Sequence, residues 1–484
     1  MMGGKLLKNI PIVNGIKDYV GEGMVPFSMP GHKMGRAFSE IKNILLSGDL
    51  TEVEGLDNLH KPEGIIKEAE NKLSFLYKSK KSYLLVNGST SGNLIMIFSS
   101  FNEGDKVLVE RNCHRSIMNG IMLRKLEPIF VKNIFDVKLK APIGLDIDHL
   151  EWLLKEHNDI KGIILTYPNY YGVGIGLEYI INTCKKNRLK VLVDSAHGAH
   201  FGFNDKLPTS VQSFKPDMVV MSAHKTLPSL TQTAWLHVNN NIDTEKVEFY
   251  KGIFMSTSPS YMFMMSLDYS RDFLEHKALY AYDELFKLIK DFKNKIRDLE
   301  YIEIVDKKFL EESILKNKIS EKQEKIELDE SRIVINLSEG FNGNKLFDYL
   351  RANRIQCEMS DHKNVVLIPS TFNTREDFEK LIKALLKCDK ELLREDEVDF
   401  YTSCIPKTVM LPYKIVDIEK EVINLQSAIG HIVAENIIPY PPGVPILIVG
   451  EVIEEEHVNI ISTCINNNIT VIGVDNNTIK VVKQ

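Results

Sequence analysis

Tryptophan and cysteine are scarce in this sequence, with two and six among 484 residues. The cysteines (Cys113, Cys184, Cys357, Cys388, Cys404 and Cys464) form no Cys-x-x-Cys pair and show no metal-ligand spacing. That excludes a zinc ribbon or a disulfide-stapled scaffold, and favours free thiols in a reducing compartment with no bound metal. Long apolar runs are missing too. No stretch reaches the roughly 18 uninterrupted apolar residues that span a bilayer, and the N-terminus lacks the apolar core of a secretory signal. The expected location is the cytoplasm. Nor does charge of one sign dominate: the formal charge is −6 and is spread along the chain. Neither a nucleic-acid footprint nor a polybasic membrane patch is expected, which leaves small molecules as partners.

What is present is an ordinary globular balance, 44% hydrophobic and 26% charged, in a chain long enough for two or three cores. The first 56 residues read as an arm, because Gly21–Arg36 is too broken by Gly and Pro to hold a regular element. Residues 57–290 alternate helical stretches with short apolar strands such as "DKVLVE", "KGIILTYP", "KVLVDSAH" and "DMVVMSAHK". This alternation predicts an α/β large domain with a mainly parallel sheet covered on both faces, whose ligands gather at the carboxyl ends of the strands. Residues 291–395 read as a smaller α+β domain, and 396–484 as a C-terminal domain. The charged run Lys316–Glu330 is read as a solvated loop or helix face, and the prolines of "PYPPGVPILIVGE" predict an extended, rigid course.

Polar clusters fall at the ends of these predicted strands. One strand ends at Asp194, followed by Ser195, Ala196 and His197; another ends just before Ser222, Ala223, His224 and Lys225. The two ends are about one strand-to-strand crossover apart, so both side chains can reach one crevice. A lysine in an apolar pocket loses proton affinity and can form a Schiff base with an aldehyde. If the aldehyde is pyridoxal 5'-phosphate, its ring nitrogen needs a buried carboxylate to stay protonated, a role that suits Asp194. Taken singly, Lys225 also reads as a solvated strand end, and Asp194 as a helix N-cap. In "NGSTSGN" the Ser89, Thr90 and Ser91 hydroxyls and free N–H groups at a helix start suit a phosphate, though plain capping is the competing reading. Ser222 and His224 are further phosphate candidates, and His114 can lie against a pyridine ring.

Together, "MPGHKMG", "VDSAHGAHFGF", "SAHKTLPSLTQTAWLHV", "STSPSYMFMMSLD" and "PYPPGVPILIVGE" resemble the Orn/Lys/Arg decarboxylase family of fold-type-I pyridoxal-phosphate enzymes, in the short form without an N-terminal wing domain. The resemblance spans roughly Pro11 to Gly473. It implies Lys225 as the Schiff-base lysine, Asp194 as the ring-nitrogen partner, and His114 as the stacking histidine. It also implies Ser89, Thr90, Ser222 and His224 as phosphate ligands, and Ala196 and His197 beneath and beside the ring. Ser256 and Thr257 would reach the phosphate of a neighbouring subunit, so that a homodimer or larger homo-oligomer shares its sites. Arg115 stands where the family leads one to expect lysine, and Val449 where proline is common; neither is expected to touch the cofactor chemistry.

The implied reaction is decarboxylation of a basic L-amino acid to its amine and carbon dioxide, in polyamine biosynthesis, with arginine favoured over lysine or ornithine. Lys225 or His224 is expected to return a proton to Cα. Asp57 and Glu358 are candidates for the distal cation of the substrate. Two alternatives stay open. An aminotransferase would need an arginine clamp on the α-carboxylate, from among Arg332, Arg351, Arg354 and Arg375. A catalytically inactive regulatory homologue would have no need to retain Lys225 with Asp194.

Overall fold

The apolar runs of the large domain become neighbouring strands of one sheet in the computed structural model, which describes residues 10–239, 242–316, 325–395, 405–440, 445–467 and 469–483. Seven strands lie in the order Lys81–Leu85, Ala234–Val238, Met218–Met221, Lys190–Asp194, Ile160–Thr166, Lys106–Glu110 and Glu127–Val131. The last five run parallel, and Ala234–Val238 is antiparallel to both of its neighbours. Parallel strands with both faces covered need near-continuous apolar sequence, which "VLV" and "MVVM" supply: Val191, Leu192, Val193 and all four residues of Met218–Met221 are inaccessible to solvent. The crossover helices are amphipathic. Leu177–Lys186 carries Glu178 in its first turn and Lys185 and Lys186 in its last, which complements the helix dipole.

Register sets the position of the strand ends. Asp194 lies level with Thr166 on one side and Val220 on the other, so its carboxylate emerges at the carboxyl edge of the sheet. Met221 ends the adjacent strand and leads directly into the one-turn helix Ala223–Thr226, which carries Lys225.

The long helix Ala278–Ile296 leads to a four-stranded antiparallel sheet, ordered Ile302–Ile304, Ile333–Leu337, Asn364–Leu367 and Met359–Ser360. Helices Gly343–Ala352 and Arg375–Lys387 accompany it, the latter opened by a Thr374/Asp377 capping box. The C-terminal residues form a three-stranded sheet with Lys420–Asn424 and Thr478–Val482 antiparallel, a two-stranded pair and the helix Glu455–Asn466. They enclose an apolar cluster of their own that includes Val433, Leu447, Ile461 and Val481.

Two expectations fail here. The Gly- and Pro-broken stretch Gly21–Arg36 does hold a regular element: Val25–Phe27 pairs in parallel with Ile355–Cys357. A three-residue strand has too little sequence pattern to be seen, and its partner lies more than three hundred residues away. The end of the charged run Lys316–Glu330 is not a solvated face either. Ile326–Leu328 pairs with Val173–Ile175, and Asp329 is 1% exposed; residues 317–324 lie outside the described residues. Residues 441–444 of the proline-rich segment, and Cys404, also lie outside them. The five described cysteines are free. Among the described residues, no helix is long and apolar enough to cross a membrane.

Candidate active site

A cavity of about 380 Å³ opens at the carboxyl edge of the parallel strands. Ser89, His114, Asp194, Ala196, His197 and Lys225 all line it, so these six sequence-picked residues share one chamber. Asp194 is buried and held by neutral donors: Asn93 Nδ2 donates to Oδ2 at 2.7 Å, and the Ala196 N–H to Oδ1 at 3.1 Å. Asn93 Nδ2 also reaches the Ser116 hydroxyl at 2.8 Å, and that hydroxyl lies 2.7 Å from His114 Nδ1. The Ser116 N–H donates to the same Nδ1, which leaves any proton of a neutral His114 ring on Nε2. The carboxylate and the imidazole expected at a cofactor ring are thus fixed by one network through Asn93 and Ser116. Neither residue was singled out in the sequence, where a polar residue on a helix face carries no signal.

Lys225 Nζ lies 3.0 Å from His197 Nε2. Burial lowers the proton affinity of this lysine from its ordinary value, against the opposing pull of Asp194. Burial likewise depresses His114 and His224, and His197 well below the usual histidine range. A chamber with a softened lysine and uncharged imidazoles suits nucleophilic and proton-transfer chemistry.

The remaining candidates lie around the chamber rather than on its wall. The Ser91 hydroxyl donates to the Gly88 carbonyl at 2.8 Å inside the helix Gly88–Ser100, and Thr90 faces solvent. That helix start has no side-chain cap; its Gly88 N–H is taken by the Gln232 carbonyl at 2.7 Å, which leaves the N–H groups of Ser89 and Thr90 to meet an anion. Ser222 is fully buried and its Oγ has no hydrogen-bond partner. His224 Nδ1 faces the Thr233 carbonyl at 2.8 Å and so carries the proton, leaving Nε2 as the free atom of the ring. Ser256 and Thr257 are exposed and do not line their own chain's cavity; the Ser256 N–H reaches Asn87 Oδ1 at 3.3 Å, beside the same helix start.

Of the two carboxylates considered for a distal cation, Asp57 is committed elsewhere. It accepts backbone N–H groups of Asn58, Glu63, Gly64 and Ile66, capping the helix Ile65–Leu76, and it does not line the cavity. Glu358 stays closer: it accepts the hydroxyl of Tyr170, a cavity residue, at 3.1 Å and the Met29 N–H at 2.7 Å. Arg115, set aside in the sequence, does line the cavity. So do Asn436, Ile438, Pro445 and Ile472 from the C-terminal residues, which the strand-end pattern could not bring in.

"MPGHKMG" acquires a physical meaning here. Gly31 donates its N–H to the His224 carbonyl at 2.8 Å, and a Cβ at Gly31 would come within 2.6 Å of the Thr226 and Leu227 backbone. Only glycine lets the arm lie flat against the segment that carries Lys225. Gly31→Ala should therefore displace that segment at a cost of about 1–3 kcal/mol, seen as a lower Tm together with reduced turnover. Wild-type activity and Tm in this variant would show that the contact yields freely.

The Orn/Lys/Arg decarboxylase major domain matches residues 10–377, and the C-terminal domain of the same family matches residues 397–464. The chain belongs to the Orn/Lys/Arg decarboxylase family. Among relatives of this decarboxylase, an uncharacterized protein YaaO of Bacillus subtilis is 34% identical, covering 95% of each chain. An arginine decarboxylase of the same organism is 30% identical over 98% of this chain and 97% of its own. In fold, the constitutive lysine decarboxylase of Escherichia coli superposes with a TM-score of 0.78 at 19% identity, covering 98% of this chain and 82% of that one. The architecture is that of the fold-type-I pyridoxal-phosphate enzymes, α/β with a mainly parallel central sheet.

None of the four arginines weighed for an aminotransferase clamp lines the cavity of this decarboxylase. Arg332 is buried with its guanidinium turned to the Tyr170 carbonyl and to His197 Nδ1, the latter at 3.1 Å. Arg351 pairs with Glu22 at 2.8 Å, and Arg354 and Arg375 are exposed.

Proposed function

We propose that this enzyme removes the α-carboxylate of a basic L-amino acid, arginine before lysine or ornithine, with pyridoxal 5'-phosphate held between Lys225 and Asp194. The observation that carries the reading is that these two side chains line one cavity together with His114 and His197. The residues fit the group. The uncapped helix start at Gly88 and the partnerless Ser222 hydroxyl offer donors for a phosphate, and Asp194 offers a buried carboxylate for a ring nitrogen. On this reading Ser89, Thr90, Ser91, Ser222 and His224 serve the phosphate, His114 and Ala196 flank the ring, and Ser256 and Thr257 of a neighbouring copy complete the site. A homodimer then follows. Division of the chain near residues 56, 290 and 395, and a cytoplasmic location, belong to the same proposal.

When bound, the cofactor supplies the electron sink that makes loss of carbon dioxide feasible. The chain supplies everything else. Lys225 Nζ is the covalent anchor and, once released, stands ready to return a proton to Cα; His197 Nε2, 3.0 Å away, holds that nitrogen in place. His224 Nε2, with Nδ1 occupied by the Thr233 carbonyl, is the second proton carrier. Met118, Pro142, Ile438 and Ile472 limit water around the reacting carbon. Glu358 with the Tyr170 hydroxyl forms the polar corner we assign to the substrate's distal cation.

The arginine preference is supported by relatives named arginine decarboxylase in Bacillus anthracis and Halalkalibacterium halodurans, 29% and 30% identical over more than nine-tenths of this chain. Supplied with pyridoxal phosphate and each of arginine, lysine and ornithine in turn, the enzyme is expected to release carbon dioxide and the corresponding amine fastest from arginine. A keto acid product would replace this reading with an aminotransferase. No carbon dioxide from any of the three would end it.

A further inference from the structure

Three side chains from distant parts of the sequence form a row that runs from the cavity wall inward. Lys225 Nζ meets His197 Nε2 at 3.0 Å, and on the other side of the ring His197 Nδ1 meets Arg332 Nη2 at 3.1 Å. Arg332 is fixed in turn. Its other terminal nitrogen, Nη1, donates to the Tyr170 carbonyl, and its backbone N–H donates to the Asp329 carbonyl at 3.0 Å. The Asp329 carboxylate is itself tied to Ser331 Oγ and to His200 Nε2 at 3.1 Å. The Tyr170 ring stands edge-on to the His197 ring, with centroids 4.8 Å apart, and holds its plane.

The chemistry of this row admits one arrangement of protons. A guanidinium has donors only and does not deprotonate in proteins, so His197 Nδ1 must accept. A neutral ring then carries its proton on Nε2 and donates it towards Lys225, whose nitrogen can accept only as an uncharged amine. The opposite arrangement, an ammonium donating to Nε2, would turn an Nδ1–H against the Arg332 N–H. A charged ring would face cations on both sides. We propose that Arg332 is a positioning residue: through Nδ1 it locks His197 as the Nε2–H tautomer, and the locked ring presents Lys225 with a donor that selects the free amine.

This rests on the reading that Lys225 is the amine that takes an aldehyde cofactor, because only the free amine can attack one. It goes beyond that reading by assigning the selection of the amine to a residue outside the cavity. The groups that face Lys225 pull in opposite directions. Asp194 and Glu358 favour the ammonium, while Arg332 opposes it. His197 itself faces Lys225, Arg332, His114 and His224, all of which disfavour charge on its ring, as does its burial. Arg332 thus acts twice, as a nearby positive charge and as the donor that sets the tautomer.

The test uses the apoprotein, with trace acetic anhydride as an amine probe over a range of pH and mass spectrometry of the Lys225 peptide as the readout. In wild type, Lys225 should label at lower pH than an ordinary lysine. In Arg332→Met, labelling at neutral pH should fall about ten-fold, the size of a one-unit rise in proton affinity, and Arg332→Lys should restore part of it. Identical profiles in wild type and Arg332→Met would overturn the proposal. Should the Met variant fail to fold, the 15N shifts of selectively labelled histidines in the wild type decide the matter. A pyridine-like Nδ1 at His197 supports the locked tautomer, and a protonated Nδ1 refutes it. Borohydride reduction after adding pyridoxal phosphate keeps the two readings apart. Cofactor fixed at another residue, or nowhere, removes the reading of the site; cofactor fixed at Lys225 with labelling indifferent to Arg332 removes this inference alone.

Discussion

Replacing Lys225 with alanine is expected to cut turnover by roughly 10⁴-fold or more, the scale on which removal of a covalent nucleophile acts, and to abolish the visible band of the bound cofactor. Among the described residues that line the cavity Lys225 is the one lysine, so no second amine stands by to replace it. The same substitution should leave the fold intact, which separates a chemical role from a structural one. Burial lowers the proton affinity of Lys225 in the folded state, so the unfolded chain binds more protons at this position. A group of that kind weakens the fold at neutral pH, and the weakening fades as pH rises towards the ordinary lysine range. Alanine removes it, so the Tm of Lys225→Ala near neutrality should match or exceed that of wild type. Turnover and visible absorbance measured beside thermal unfolding check both halves. Retained turnover, or loss of turnover that merely follows unfolding, would remove Lys225 from the chemistry.

That Lys225 and Asp194 share a cavity was legible in the sequence for a topological reason. Parallel strands buried on both faces are written as continuous apolar runs, and the first polar residues after "VLV" and "MVVM" must emerge at the same edge of the sheet. His114 follows Lys106–Glu110, two strands from Lys190–Asp194 in the same parallel set, and was legible on the same ground. Arg332 was not. It opens "RIVINL", a strand of a different sheet, and only the tertiary approach of that sheet brings its guanidinium to His197. Asp329 was hidden for a related reason, since it closes a charged run whose composition describes solvent, while one short strand pairing buries its end. Asn93 lies in a helix among small polar residues, where its amide looks like any other until the Asp194 carboxylate is placed beside it. Patterns of period two or near four record which face is buried, and carry no information about which distant side chain is met there.

The contribution of the C-terminal residues to the cavity wall makes a second large effect expected, at Glu451. Arg111, one residue beyond the strand Lys106–Glu110, meets it with both terminal nitrogens: Nη1 to Oε1 at 2.6 Å and Nη2 to Oε2 at 2.9 Å. The Ile446 carbonyl takes a further bond from Nη2 at 3.0 Å, and the Ile448 N–H donates to Glu451 Oε2 at 2.7 Å. Glu451 is fully buried and Arg111 nearly so, and the guanidinium also lies over the Phe130 ring. Glu451→Ala would strand a buried guanidinium, and breaking such a pair from one side costs on the order of 3–5 kcal/mol. The loss should appear as a large drop in Tm. Replacing both partners by leucine should recover most of it, because the desolvation of two charges is then avoided together with their attraction. The pair sits next to Pro445, and Asn436, which accepts the Val449 N–H at 2.8 Å; Pro445 and Asn436 both line the cavity. Under conditions where Glu451→Ala stays folded, KM for the amino acid should therefore rise more than kcat falls, while cofactor remains bound at Lys225. An unchanged KM would mean that the C-terminal wall keeps its place without the pair, held by its apolar contacts alone.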